Sequence, residues 1–212
     1  MSPEVIVNDM LPLYRRLSTD DQDSVRLLTV QDLVAMAEKL GPAETQQLLL
    51  PSICATFQDK SWRVRYMAAD HFVQLASAVD ENVIKEDLVS AFINLMRDAE
   101  AEVRTAAAGQ IPGLAKLLDQ TTIIERLLPV TKELADDLSQ HVRGALAAQV
   151  SALAPLLGKE ATTEYLLPLF LQLLKDEFPE GRLTIISRLQ QVNEGIGIEL
   201  LSQSLLPAIM TL

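Results

Sequence analysis

The side chains best suited to covalent or proton-transfer chemistry are few: two histidines, His71 and His141, and one cysteine, Cys54, among 212 residues. A metal site or a nucleophile and its base needs such groups at short helical spacing or in a recognisable motif. The histidines lie 70 residues apart, and neither has ligand spacing to the other or to Cys54. The chain shows no glycine-rich phosphate loop and no nucleophile elbow. Adjacent carboxylates such as Asp136 and Asp137 read as helix-end charges. The expectation is a protein that is not an enzyme, with no catalytic, metal or cofactor-binding residue and no cofactor. Chemistry here is therefore recognition, and the question becomes which elements position the recognising side chains.

Composition narrows those elements. The chain is 49 % hydrophobic but only 4 % aromatic, with 8 glycines, so it can bury a core yet lacks the turn-rich, aromatic-rich pattern of sandwiches and propellers. Long helices are the default. A net charge of −11, from 29 acidic and 18 basic residues, disfavours nucleic acid and anionic membrane surfaces, which require excess Lys and Arg. A lone cysteine and the absence of an Asn-X-Ser/Thr acceptor point to a reducing compartment, cytoplasmic with the nucleus as a second location. The N-terminus lacks the pattern of a signal peptide, and the most apolar stretch, 166–174, is too short to span a bilayer.

Internal repetition organises everything else. Arg26, Arg65, Arg104, Arg143 and Arg182 stand 39 residues apart, as do Asp20, Asp59, Asp98, Asp137 and Asp176. A third ladder runs Pro12, Pro51, Ser90, Pro129, Pro168 and Pro207. Ile124, Leu127, Leu128, Thr131 and Leu134 follow the spacing of an amphipathic helix, and so do Val142, Leu146, Val150, Leu153, Ala154 and Leu157, with Gly158 as a stop. Each unit is helix, short turn, helix. Such pairs bury their apolar faces only by stacking, which predicts an all-α array of antiparallel helix pairs forming an α-α superhelix. The expected repeats are 3–41, 42–80, 81–119, 120–158 and 159–197, then a first helix at 198–212, in one array over 1–212.

The Asp ladder marks the turn inside each pair. Its carboxylate can accept from free amides at the start of the second helix, and the Arg six residues later can reach the Asp of its own or an adjacent repeat. Recurrent proline in the first helix makes a bend part of the unit, since a mid-helix proline removes a donor at a cost of roughly 3 kcal/mol. Pro112 and Pro155, outside that ladder, are expected to kink their own second helices.

The combination of Leu-Leu-Pro, Asp, Val-Arg and an Ala-rich helix resembles a HEAT repeat. Particular strings go further. Asp59-Lys60-Ser61-Trp62-Arg63-Val64-Arg65-Tyr66-Met67-Ala68-Ala69-Asp70, Leu166-Leu167-Pro168-Leu169-Phe170-Leu171, Asp20-Asp21-Gln22-Asp23-Ser24-Val25-Arg26-Leu27-Leu28 and Ser202-Gln203-Ser204-Leu205-Leu206-Pro207-Ala208-Ile209 resemble the family of scaffolding regulatory subunits of protein phosphatase 2A. The similarity implies a HEAT-repeat solenoid, an internal stretch of a longer array, and a scaffold that binds a regulatory B-type subunit. It also implies that the catalytic subunit is reached only through repeats that this chain does not contain.

Comparing equivalent turns shows where a partner would touch. Trp62 shares its position with Asp23, Ala101, Gln140 and Pro179, none a large core residue, so this Trp is expected at the surface as a hot-spot candidate. With Lys60 and Arg63 it forms a basic aromatic turn between acidic ones carrying Asp21 and Asp23 on one side and Glu100 and Glu102 on the other. These seven residues are the candidate partner contacts. The bland reading has Trp62 sealing helix ends with Arg63 stacked on it. Two rivals remain. One is a transport or trafficking adaptor reading peptides on its second helices through Gln74, Gln110, Gln149 and Gln190. The other is a HEAT-like chromophore lyase. His71 falls at a polar surface position, and Cys54 is expected as a buried structural thiol.

Overall fold

A computed structural model of the chain describes residues 2–210. All regular structure among them is helical, in two compact units, the first ending at Ala107 and the second beginning at Ala108. The first unit holds α1 (residues 3–17), α2 (Asp23–Lys39), α3 (42–57), α4 (62–76) and α5 (81–96). Helix α6 covers Ala101–Ala115. The second holds α7 (120–134), α8 (140–157), α9 (159–173), α10 (179–196) and α11 (Ile198–Ile209). Odd-numbered helices are the first of each pair and even-numbered ones the second.

The first helices are not plain α-helices. Each of α1, α5, α7 and α9 carries one π-helical turn, at Ile6–Met10, Ile84–Leu88, Ile123–Leu127 and Thr162–Leu166. In α1, α7 and α9 the ladder proline is the second residue of the α-helix that follows. The wider turn makes room for a ring that supplies no N–H. Helix α5 keeps the π-turn with Ser90 in the proline's place, so proline is not its only cause. Helix α3 reaches Pro51 instead through a break at Leu49 (φ −115°, ψ −22°).

A π-turn inserts one residue into the helical count and so rotates everything upstream by about 100°. That corrects one expectation: Ile123, 2 % exposed, is the core residue of α7, and Ile124 is only half-buried. Downstream the pattern holds, with Leu127, Leu128, Thr131 and Leu134 all buried. The buried Thr131 hydroxyl donates to the Leu127 carbonyl at 2.8 Å.

The six apolar positions from Val142 to Leu157 on α8 are all buried. Gly158 then ends the helix at φ +76°, ψ 175°, and Gly197 does the same for α10 at φ +86°. That backbone region is open essentially only to glycine. The two prolines of the second helices behave differently from each other. Pro155 follows a 3₁₀ stretch at Val150–Leu153, whereas Pro112 lies inside the helix Ala101–Ala115.

In the first unit the core is threaded by three aromatic rings. Phe57, Phe72 and Phe92 come from three successive helices, and Phe72 contacts each of the other two at a centroid distance of 4.8 Å. In the second unit Leu146, Leu153, Phe170 and Leu173 are among the buried core residues. Burying each such side chain contributes about 1.5–3 kcal/mol.

Candidate functional site

The five intra-repeat turns share one geometry. The carboxylates of Asp20, Asp59, Asp98, Asp137 and Asp176 each accept the backbone N–H two residues on, at 2.8–3.0 Å: Gln22, Ser61, Glu100, Ser139 and Phe178. The Asp thus fixes the turn that leads into the second helix, instead of capping that helix's first free amides. The same five Asp residues offer their carbonyl oxygens to the Nη1 groups of Arg26, Arg65, Arg104, Arg143 and Arg182. Each Arg therefore binds the main chain of its own repeat.

The other edge of the guanidinium reaches forward. Arg26 donates from Nε and Nη2 to the two carboxylate oxygens of Asp59 at 2.9 and 3.0 Å. Arg65 does so to Asp98 at 2.7 and 3.0 Å, and Arg143 to Asp176 at 2.6 and 3.3 Å. All three pairs span 33 residues. These bidentate pairs are largely shielded, with side-chain exposures of 6 and 14 % for Arg26 and Asp59.

The ionisation of the pairs follows their surroundings. At Asp59 and Asp98 burial pushes the carboxyl upward. The hydrogen bonds from the facing Arg, the backbone amide and the Arg charge together outweigh it and hold the group below the usual carboxylate range. At Asp176 the bonds from Arg143 are the leading cause of the same lowering. Arg26, Arg65 and Arg143 are correspondingly raised, first by their bonds to these carboxylates.

On this frame the candidate contacts of the first unit are set. Trp62 is the first residue of α4 and remains 40 % exposed. Lys60, Arg63, Asp21, Glu100 and Glu102 are exposed, and Asp23 is half-buried. Three groups from two turns converge: Asp23 accepts from the Ser61 hydroxyl at 2.8 Å and pairs with Arg63 at 3.6 Å. Arg63 thus turns to the neighbouring acidic turn, and Trp62 stays partly exposed with Tyr66, 37 % exposed, four residues on along the helix.

Two residues of equivalent kind in the second unit escape a reading centred on Trp62. Leu138 is 99 % exposed and Phe178 is 40 % exposed, both in turns. Phe178 lies under the Arg143 guanidinium, 5.6 Å from its ring centroid. Comparing repeats could have found them, since their positions elsewhere hold Asp21, Lys60, Ala99 and Glu177, or Gln22, Ser61, Glu100 and Ser139.

The remaining reactive groups lie off this edge. His71 is half-buried, and its Nδ1 meets the Met67 carbonyl at 2.9 Å. His141 is exposed. Cys54 is half-buried rather than a sealed core thiol, and partial burial pushes its pKa up. Among the described residues no three His, Cys, Asp or Glu side chains gather as a metal site, and no helix is long and apolar enough to cross a membrane.

Residues 81–158 match the family model described as PPP2R1A-like HEAT repeat, and residues 27–116 match the model described as Vacuolar 14 Fab1-binding region. Two curated proteins, each the regulatory A-type subunit of protein phosphatase PP2A, are similar in sequence. That of Schizosaccharomyces pombe is 54 % identical over 82 residues, covering 38 % of this chain and 14 % of the relative. That of Saccharomyces cerevisiae is 43 % identical over 73 residues, covering 33 % and 12 %. The matched stretches are thus a small part of those relatives' length. Among solved structures, Cex1p superposes with a TM-score of 0.74 at 15 % identity over 91 % of this chain and 39 % of its own. The karyopherin Kap121p bound to the SUMO protease Ulp1p gives 0.70 at 19 % identity, over 99 % and 22 %. At such identities the structures share the fold, an α-helical solenoid.

Proposed function

We propose that the chain is a stretch of a HEAT-repeat array of the kind found in the A-type regulatory subunits of protein phosphatase 2A, a non-catalytic scaffold whose intra-repeat turns bind a regulatory B-type subunit. The observation that carries this reading is the exposed Trp62 held at the start of α4 by a clamped turn. A bulky aromatic group kept in solvent by a rigid frame loses little conformational entropy on binding, which is the property of a hot spot. The surrounding charges, Lys60 and Arg63 between Asp21, Asp23, Glu100 and Glu102, form a rim of mixed sign that orients a partner and affects its on-rate more than its affinity. On this reading the seven residues are contacts and the Asp and Arg ladders are the frame, in a single array of repeats working in the cytoplasm or nucleus.

The test is binding of a purified B-type regulatory subunit to the full 212-residue chain and to Trp62→Ala, Arg63→Ala and their combination. Alanine is preferred to a charge reversal at Arg63, because a carboxylate there would face Asp23. A loss of roughly tenfold or more for Trp62→Ala, with unchanged helicity, supports the reading. Undiminished binding removes the turn edge from it. If binding instead falls on replacing Gln74 and Gln190, both exposed on second helices, the adaptor alternative takes its place.

A further inference from the structure

At the end of the first helix, four of the repeats carry a buried apolar residue. That residue is Phe57 in α3, Met96 in α5, Ala135 after α7 and Leu174 after α9, exposed by 4, 0, 6 and 0 %. In α1 the same position is Ser18, half-buried. A hydroxyl where every other repeat has a buried apolar group forfeits hydrophobic burial. Ser18 lines a cleft of about 310 Å³ together with Tyr14, Arg15, Arg26, Ser52 and Asp59 among others. The residues leading to it are equally unlike their counterparts. Arg15-Arg16-Leu17-Ser18 occurs where the later repeats have Cys54 and Ala55, Ile93 and Asn94, Lys132 and Glu133, or Leu171 and Gln172. Repeat packing requires neither the arginines nor the serine.

We propose that Ser18 is a phosphorylation site for an arginine-directed serine/threonine kinase, and that its phosphate enters the cleft and takes Arg26 away from Asp59. Arg15 and Arg16 are both exposed, three and two residues before the acceptor, where acidic pockets of such a kinase read a basic pair. Ser18 follows the last residue of the helix Leu11–Leu17, and its hydroxyl donates to the Arg15 carbonyl at a long 3.2 Å and also meets the Tyr14 hydroxyl. Helix ends open at little cost, so the four residues can extend into a kinase groove. The Ser18 oxygen attacks the γ-phosphorus of the kinase's ATP and the bond from that phosphorus to the bridging oxygen breaks. ADP leaves, and the hydroxyl proton passes to the kinase's base.

The added group carries about −1.5 to −2 charges. It then lies at a helix C-terminus and beside Asp20, both unfavourable, while the cleft offers the guanidinium groups of Arg15 and Arg26. The Tyr14 hydroxyl on the same wall stays a donor, since burial raises its pKa to about 12. Arg26 already has Asp59 as its bidentate partner. A phosphate competing for it loosens the link between the first two repeats.

The experiment uses the full chain with Mg-ATP and the catalytic subunit of cAMP-dependent protein kinase as probe, with sites mapped by tandem mass spectrometry. One phosphoryl group on Ser18 is expected, abolished in Ser18→Ala and slowed roughly tenfold or more in the exposed-site variant Arg15→Ala/Arg16→Ala. No incorporation, incorporation at Thr19 or elsewhere, or indifference to the two arginines overturns the site. For the consequence, hydrogen exchange of the Gln22 and Ser61 amides is followed. Exchange roughly tenfold faster in the phosphorylated chain, but not in Ser18→Ala treated alike, supports release of Arg26. Unchanged protection overturns it.

Discussion

Asp59→Asn tests the frame most directly. The Asp59 carboxylate accepts two bonds from Arg26 and one from the Ser61 amide. An amide can replace one acceptor but not the charge, so Arg26, only 6 % exposed, keeps its charge and loses its counter-ion. Two charge-assisted bonds are worth about 1.5–3 kcal/mol each. Arg26 retains the carbonyls of Asp20 and Asp21 at 2.8 and 3.1 Å, which offsets part of the loss, so the expected destabilisation is about 3 kcal/mol. Asp20→Asn is the matched control. That carboxylate makes the same turn bond to Gln22 at 2.9 Å without the forward clamp, and its substitution should cost about 0.5–1 kcal/mol. Urea unfolding followed by circular dichroism measures both. The clamp argument is refuted if the two variants fall within about 0.5 kcal/mol of each other, the ordinary scatter of additive surface effects.

Other expectations follow from the same structure. Because Asp59, Asp98 and Asp176 are held below the usual range, the unfolded chain binds more protons as acid is added. Their contribution is complete above about pH 4, the ordinary carboxylate value, and is lost as pH falls through the lowered folded values. Urea midpoints measured from neutral to acid pH should drop below about pH 4, less steeply in Asp59→Asn. Gly158→Ala forces φ +76° on a residue with a Cβ and should destabilise the second unit by about 1–3 kcal/mol in thermal or urea unfolding. Phe72→Ala removes the middle ring of the aromatic core and should cost about 3–5 kcal/mol. Trp62→Ala, by contrast, should leave the urea midpoint within about 0.5 kcal/mol of the parent, and a larger loss would return Trp62 to a sealing role.

The candidate edge was partly legible in the residues alone. Trp62 could be placed at the surface because its counterparts Asp23, Ala101, Gln140 and Pro179 are poor core residues, and a position repeated in equivalent packing tends to one environment. The same reasoning was available for Leu138 and Phe178. Ile124 was misplaced because an assumed 3.6-residue count ignores the π-turn at Ile123–Leu127, whose extra residue turns the preceding face.

What the amino-acid sequence determined by itself was local and periodic: helix, turn and helix, an Asp at each turn, an Arg six residues on, and glycine where the chain must reverse at positive φ. Those features follow from hydrophobic spacing and backbone sterics acting over a few residues. Which carboxylate each Arg grips was decided only by tertiary structure, because its own Asp and that of the next repeat are both chemically suitable. The folded chain gives the Arg both partners, the carbonyl of its own Asp and the carboxylate 33 residues ahead. A planar guanidinium has two usable edges, and the packing of successive helix pairs brings the second Asp within reach of the one left free.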